Sequence, residues 1–265
     1  MKLAFSTLGV PALPVEQVVR LASEHGYHGV ELRASEEGPV HTGLSAGERA
    51  RVAEQFGKAG VEILTVAAYA RVAAAGDDGP VLDDVGAAMT LAADLGAAYV
   101  RVFPGGKDLA PDAADAIAAR RLAAVAPVAE DLGVRVLLET HDSHGSGADV
   151  ARVLGLVGHR GVGAIWDLMH TWLAGEQPST TYPAVAPYLG YVQVKDIASA
   201  ADRTPLPLGA GVLPLAETVE VLSRADWDGW LCWEYEKRWY EQAADLAGLL
   251  GPAREHLARL LSESA

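Results

Sequence analysis

Two hydrophobic patterns alternate along the chain. Short runs rich in Val, Ile, Leu and aromatic residues precede longer Ala- and Leu-rich runs in which apolar residues recur every three or four positions. The short runs are typical of strands buried in a parallel sheet, and the longer runs of amphipathic helices. The short runs predict eight strands: Lys2–Ser6, Gly29–Arg33, Glu62–Ala67, Tyr99–Phe103, Arg135–Glu139, Gly163–Asp167, Gly190–Lys195 and Trp230–Glu234.

The longer runs predict a helix after each strand. Four of them end in Gly shortly before the next strand, in the segments EHGYHGVEL, KAGVEIL, DLGAAYVRV and DLGVRVLLE. Gly adopts the left-handed backbone conformation that ends many helices. The predicted helices are Pro14–His25, Ser45–Ala59, Val81–Leu95, Asp112–Leu132, Ala148–Val157, Tyr182–Tyr188, Leu213–Ala225 and Gln242–Leu261.

This alternation indicates the fold. Eight strand–helix units of about 30 residues fill the 265 residues, which predicts an α/β chain folded as a single-domain (β/α)8 TIM barrel over residues 1–265. The alternative is a doubly wound open sheet, which usually has fewer strands and carries a GxGxxG turn after its first strand. The chain has no such turn there, and we interpret GAG at Gly209–Gly211 as an ordinary turn.

Composition and charge narrow the classes of function. The formal net charge is −14, which repels a phosphate backbone, so we expect no nucleic-acid partner. No apolar segment approaches the ~20 residues that span a bilayer, and the apolar run at the N-terminus is too short for a secretory signal. Together with the single cysteine, Cys232, these features favour a cytoplasmic protein with no membrane partner.

Polar residues lie at or near the ends of the last four predicted strands. Glu139, Asp167 and Glu234 each follow an apolar run, and Gln193 lies on the strand between the last two. In a barrel these strand ends are neighbours on the face that holds the active site. A buried carboxylate must be paired, protonated or bound to a cation. The four oxygen donors therefore predict a divalent metal site, for Mn²⁺ first, with Mg²⁺ or Co²⁺ as alternatives.

Other polar residues on the same face are candidates for substrate binding. His141 follows Glu139 by two residues, and His170 follows Asp167 by three, so both can point over the strand ends. The predicted substrate-binding residues are His141, His170, Lys195, Arg203 and Glu31.

Four motifs, in this order, make the chain resemble a known family. LLETH, WDLMH, VQVKD and WEYEKRW, on strands five to eight, are similar to motifs of the sugar phosphate isomerase/epimerase superfamily of xylose-isomerase-like TIM barrels. The resemblance covers essentially the whole chain and implies a divalent metal on Glu139, Asp167, Gln193 and Glu234. It also implies a small-molecule sugar or polyol substrate, and a homodimer is a further expectation. The catalytic residues that it implies are Glu139 and Glu234, which remove and return a proton beside a carbonyl while the metal stabilises the enediolate.

Gln193 departs from the family pattern. The strand-seven ligand is commonly His in a His-x-Lys-Asp motif, whereas this chain has Gln-x-Lys-Asp. A neutral amide oxygen is a poor donor, so three outcomes are open: a weaker metal site, a changed metal preference, or a protein that has lost the metal.

Four functions remain open from the sequence. The first is a metal-dependent isomerase or epimerase of a sugar or related polyol ketone. A lyase or dehydratase on the same site, similar to inosose dehydratases or enzymes that cleave 3-keto glycosides, starts from the same proton abstraction. A nuclease related to endonuclease IV is opposed by the net charge of −14. A sugar-binding barrel without turnover is the non-enzymatic alternative.

Overall fold

Eight parallel strands form a closed barrel in chain order. The computed structural model describes residues 1–264. Each strand pairs with the next one along the chain, and the eighth closes the barrel by pairing with the first. The structure thus confirms the predicted single-domain TIM barrel. The strands are β1 Lys2–Ser6, β2 Gly29–Arg33, β3 Glu62–Arg71, β4 Tyr99–Phe103, β5 Arg135–Glu139, β6 Val162–Asp167, β7 Leu189–Val194 and β8 Trp230–Trp233.

Helices surround the barrel. In the described part of the chain no helix is long and apolar enough to cross a membrane. Residues 1–264 form nine α-helices: α1 Val15–Glu24, α2 Ala46–Ala59, α3 Asp78–Leu95, α4 Pro111–Asp131, α5 Gly147–Val157, α6 Leu168–Leu173, α7 Pro178–Val185, α8 Leu215–Arg224 and α9 Leu250–Glu263.

Four elements differ most from the prediction. The helix predicted over Tyr182–Tyr188 is observed as α7, Pro178–Val185. β3 continues to Arg71, four residues beyond its predicted end, and brings Tyr69 and Arg71 to the mouth of the barrel. The short helix α6 was not predicted, and it forms because Asp167 caps its first turn. The last helix was predicted from Gln242 but begins at Leu250. Pro252 accounts for this difference, because proline is tolerated in the first turn of a helix but breaks a helix interior, where it would lie if the helix began at Gln242.

The predicted roles of glycine at helix ends and in a turn are confirmed. The four glycines predicted to end helices have φ angles between +66° and +72°, which only Gly adopts at low cost. The predicted turn at Gly209–Gly211 is also observed, and Gly209 has a φ of +83°. The amides of Gly209 and Gly211 each donate to a carboxylate oxygen of Asp196 at 2.9 Å, so this turn is tied to the end of β7.

The barrel interior is built in two layers. Alternate residues of a strand point to the same side of the sheet, so residues two apart share the interior. An apolar layer lies toward the N-terminal ends of the strands and includes Leu137, Ile165, Tyr191 and Cys232. Two residues further along each strand the inward position is polar. This second layer is formed by Glu139, Asp167, Gln193 and Glu234, together with Glu31 and Arg101.

Arg121 on α4 secures the segment that follows β3. Its side chain is fully buried, and its guanidinium donates to the Asp78 carboxylate at 2.8 Å. It also donates to backbone carbonyls in the same segment, those of Val72, Ala74, Gly76 and Asp77.

Replacing Arg121 with Met should destabilise the fold by about 3 kcal/mol, because it leaves the buried carbonyls and Asp78 without their donor. Urea unfolding followed by circular dichroism measures this change. Arg120→Met is the matched control, since Arg120 also binds Asp78 but is more than half exposed. It should cost much less stability than Arg121→Met, because water screens an exposed ion pair. Equal losses for the two variants would contradict this account.

Candidate active site

A cavity of about 680 Å³ opens at the C-terminal ends of the strands. This is the face on which TIM barrels carry their active sites. Five of the nine predicted site residues line it: Glu139, Glu234, His141, His170 and Arg203.

The other four predicted residues lie beneath the cavity. Asp167, Gln193, Lys195 and Glu31 are each at most 2% exposed and do not line its wall. Glu31 and Lys195, predicted to bind substrate, therefore form part of the floor.

Lys195 lies at the centre of a buried charge cluster. Its ammonium nitrogen is 2.7 Å from Asp167 Oδ2, 2.8 Å from Glu236 Oε1, and in contact with Glu234 Oε2. Asp167 Oδ2 forms an ion pair with this ammonium group but no hydrogen bond. Burial acts to lower the pKa of Lys195, but the carboxylates raise it well above its usual value, so the side chain stays charged. We call these four residues the lysine cluster.

Asp167 also organises the turn that carries His170. Its Oδ1 atom accepts hydrogen bonds from the backbone amides of Met169 at 2.8 Å and His170 at 3.1 Å. These amides belong to the first turn of α6 and would otherwise lack partners. The Asp-x-x-His spacing thus folds the chain back over the end of β6 and brings His170 to the cavity.

Gln193 presents its NH₂ group, not its oxygen, to the neighbouring carboxylates. Its Nε2 atom donates to Glu31 Oε2 and Glu234 Oε1, both at 3.1 Å. This orientation follows from the contacts, because two carboxylates would repel the amide oxygen. Glu31 also accepts from the Tyr191 hydroxyl at 2.5 Å. Burial and the charge of Glu234 raise the pKa of Glu31 above its usual value.

Glu139 forms a buried ion pair at the cavity wall. Its Oε2 atom is 2.9 Å from Nη1 of Arg101, whose guanidinium lies 3.9 Å from the centre of the Phe103 ring. Burial raises the pKa of Glu139 to about 7, although Arg101 acts to lower it. Glu139 therefore exchanges its proton near neutral pH.

Two histidines lie beside Glu139. The rings of His141 and His170 have their centres 4.0 Å apart, and Nδ1 of His141 is 3.1 Å from Asp142 Oδ2. Burial acts to lower the pKa of His141, but Asp142 and the charge of Glu139 raise it above its usual value. Burial, together with the charge of His141, lowers the pKa of His170 well below its usual value. The pKa values of the two imidazoles are thus shifted in opposite directions.

The four residues predicted as metal ligands do not fit an ion held between them. Lys195 occupies the space between Asp167 and Glu234, and Gln193 turns its NH₂ group toward Glu234. Within residues 1–264, the group able to hold a metal is Glu139, His141 and His170, whose ligand atoms lie within 4.8 Å of one another. We call these three residues the wall triad.

The predicted set of site residues omitted three residues that shape the site. Glu236 follows Glu234 by two positions, so strand periodicity could have placed it beside Lys195. Arg101 occupies the inward position of β4, yet nothing local identifies its partner as Glu139. Asp142 has a φ of +32°, which the sequence does not signal.

Solved structures of low sequence identity share the whole fold. The IolI protein with a bound zinc atom matches with a TM-score of 0.84 and 17% identity, over 100% of this chain and 99% of that one. D-psicose 3-epimerase, solved in the presence of D-fructose, matches with a TM-score of 0.81 and 16% identity, over 98% and 99% of the chains. The probable 3-DHS dehydratase AsbF from Bacillus anthracis matches with a TM-score of 0.82 and 19% identity, over 97% and 99%.

Sequence comparisons identify the family. A comparison with curated proteins gave no match. The family model for xylose isomerase-like TIM barrels matches residues 19–260, a segment that contains all nine predicted site residues. With the closed barrel and the polar strand ends, this match confirms the resemblance found in the motifs: the chain belongs to the xylose isomerase-like TIM barrel family.

Proposed function

We propose that this protein is an isomerase or epimerase of a sugar or related polyol ketone, and that it moves a proton on the carbon beside the carbonyl. The observation that carries the proposal is the pair Glu139 and Glu234, which reach the same cavity from β5 and β8. Strands three apart approach the cavity from different sides. One carboxylate can therefore remove the proton from one face of the substrate while the other returns it to the opposite face.

Arg101 supplies the positive charge that this chemistry needs. Proton removal beside a carbonyl leaves negative charge on the substrate oxygen, and a fixed cation in a dry site stabilises that charge. Arg101 is 4% exposed, lines the cavity and pairs with Glu139. In this mechanism Arg101 binds the substrate oxygen next to the base, and no step requires an ion between Asp167, Gln193 and Glu234.

The cavity lining is suited to a sugar. Aromatic rings pack against the apolar faces of a sugar, while charged and imidazole groups bind its hydroxyls. His170 and Arg203 are the polar candidates for these contacts, beside the proposed base. The structures with the same fold include an epimerase solved with a ketose, D-fructose, which supports this substrate class. The aromatic residues of the lining are Tyr69, Phe103, Trp239 and Tyr240.

A lyase is the second candidate, and the histidine pair favours it. A β-elimination follows the same proton abstraction with protonation of a leaving group. His141 is held by Asp142 and lies next to Glu139, so it could serve as that acid. The fold is shared with a probable dehydratase, AsbF. Mass spectrometry of the products separates the two reactions, because an epimerase conserves substrate mass and a lyase does not.

The proposed reaction predicts exchange of a substrate proton with solvent. In D₂O, with a panel of ketopentoses and ketohexoses, the protein should incorporate deuterium beside the carbonyl, as measured by NMR. Glu139→Gln and Glu234→Gln should each slow the exchange at least ~100-fold, because each removes a proton carrier. Glu37→Gln, which alters an exposed acid paired with Arg238, is the control and should be unaffected. Unchanged exchange in both active-site variants would rule the mechanism out.

The raised pKa of Glu139 predicts a pH effect on stability in metal-free protein. The folded-state pKa is about 7 against an ordinary value of 4.5, so the folded protein binds this proton more tightly. Its contribution to stability is present below pH 4.5 and is lost as pH rises through 7. From pH 7 to 5.5, wild type should gain about 1.5 kcal/mol relative to Glu139→Gln. The low pKa of His170 acts in the opposite direction but is common to both proteins. Parallel pH profiles in urea unfolding would contradict the raised pKa.

A further inference from the structure

We propose that this protein binds a divalent transition-metal ion through the wall triad, Glu139, His141 and His170, and that the Lys195 ammonium takes the place of an ion among the strand-end carboxylates. The inference concerns binding and does not depend on the proposed reaction. It rests on the placement of the triad, on the support for each histidine, and on the charges in the floor.

The triad combines residues from β5, from the loop that follows it and from α6. Glu139 ends β5, His141 lies in the loop that follows, and His170 lies in the first turns of α6. Their ligand atoms are within 4.8 Å of one another. Small side-chain rotations reduce that separation to the spacing of ligands around an ion bound at about 2.1 Å. All three residues line the cavity, so the remaining coordination positions face its interior.

His141 has the support typical of a metal ligand. A ligating histidine usually donates its second ring N–H to a carboxylate, which fixes the ring and leaves the other nitrogen for the metal. Asp142 Oδ2 lies 3.1 Å from His141 Nδ1, so Nε2 is left for the ion. Asp142 has a φ of +32°, a conformation that is unfavourable for Asp, and the amides of Gly105 and Ser143 hold its carboxylate. Such strain persists where the surroundings enforce it, often at functional sites.

A backbone hydrogen bond positions His170, and its ring forms no hydrogen bond that would do so. Its amide donates to Asp167 at 3.1 Å, which fixes the turn, and its ring packs against His141. Among the hydrogen bonds formed within residues 1–264, none involves the His170 imidazole, so both ring nitrogens remain available. The ring lines the cavity beside His141.

The lysine cluster leaves no room for an ion among the strand-end carboxylates. The Lys195 ammonium already contacts Asp167, Glu234 and Glu236. An ion bound by the same oxygens would lie a few ångströms from this charge, in a buried environment where repulsion is strong. Gln193 turns its NH₂ group, not its oxygen, toward Glu234.

The donor set indicates the class of metal. Two imidazoles and one carboxylate with open positions form the arrangement used by catalytic zinc and non-haem iron sites. Zn²⁺, Co²⁺ and Fe²⁺ should therefore bind more tightly than Mg²⁺, which prefers oxygen ligands. This preference differs from the oxygen-based one expected for the strand-end residues.

Metal titration of the EDTA-treated full chain tests the site without measuring activity. Zn²⁺ by calorimetry and Co²⁺ by visible absorption should show one ion per chain in wild type. His141→Ala and His170→Ala should each lower affinity at least ~100-fold, and Asp142→Asn about 10- to 100-fold. Gln193→Ala and Glu234→Gln, the matched controls, should change affinity less than ~3-fold. Absence of binding in wild type, or loss confined to the two controls, would overturn the proposal.

Lys195→Ala tests the second half of the proposal. Removing the ammonium leaves three buried carboxylates around an open space, so the variant should bind a second divalent ion. If it does not fold alone, added Mn²⁺ should restore the circular dichroism spectrum of wild type. A folded variant that still binds one ion, or an unfolded one that Mn²⁺ does not restore, would overturn the role given to Lys195.

Discussion

The buried ammonium of Lys195 is the interaction on which the candidate site depends. It contacts Asp167, Glu234 and Glu236, carboxylates that follow or end β6 and β8 on either side of β7. A buried charge without partners is costly, so the cation and the three acids stabilise one another and fix the floor of the cavity. The cluster also decides which residues can receive a ligand. Asp167 lies beneath the cavity and Glu234 holds Lys195 while reaching the cavity wall, whereas all three residues of the wall triad line the open cavity.

The strand periodicity of the sequence predicted most of the fold and the general position of the site. Seven strands agree with the prediction to within one residue, because apolar runs and helix-ending glycines are local signals. The same periodicity placed Glu139, Asp167, Gln193 and Glu234 in one inward layer. The family pattern of xylose isomerase-like barrels supplied the expected roles, and the match over residues 19–260 supports that assignment of family.

Contacts between residues far apart along the chain could not be predicted from the sequence. The direction of the Gln193 amide depends on Glu31, which is 162 positions away along the chain. Lys195 was predicted to bind substrate because it ends a strand, but three acids from neighbouring strands hold it beneath the cavity. The backbone of Asp142 is set by contacts with another loop, so no local signal marked it. The replacement of a family histidine by Gln193 was visible, while its consequence for the metal was not.

The wall triad and the lysine cluster therefore have separate roles in this account: the wall triad binds the ion, and the Lys195 ammonium supplies fixed positive charge among the strand-end carboxylates. A crystal structure of the protein grown with Co²⁺, with the ion located by anomalous scattering, tests this division most directly. The account predicts one strong peak bounded by the wall triad, with the Lys195 ammonium still in contact with Asp167. A peak between Asp167 and Glu234, with Lys195 displaced, would contradict it.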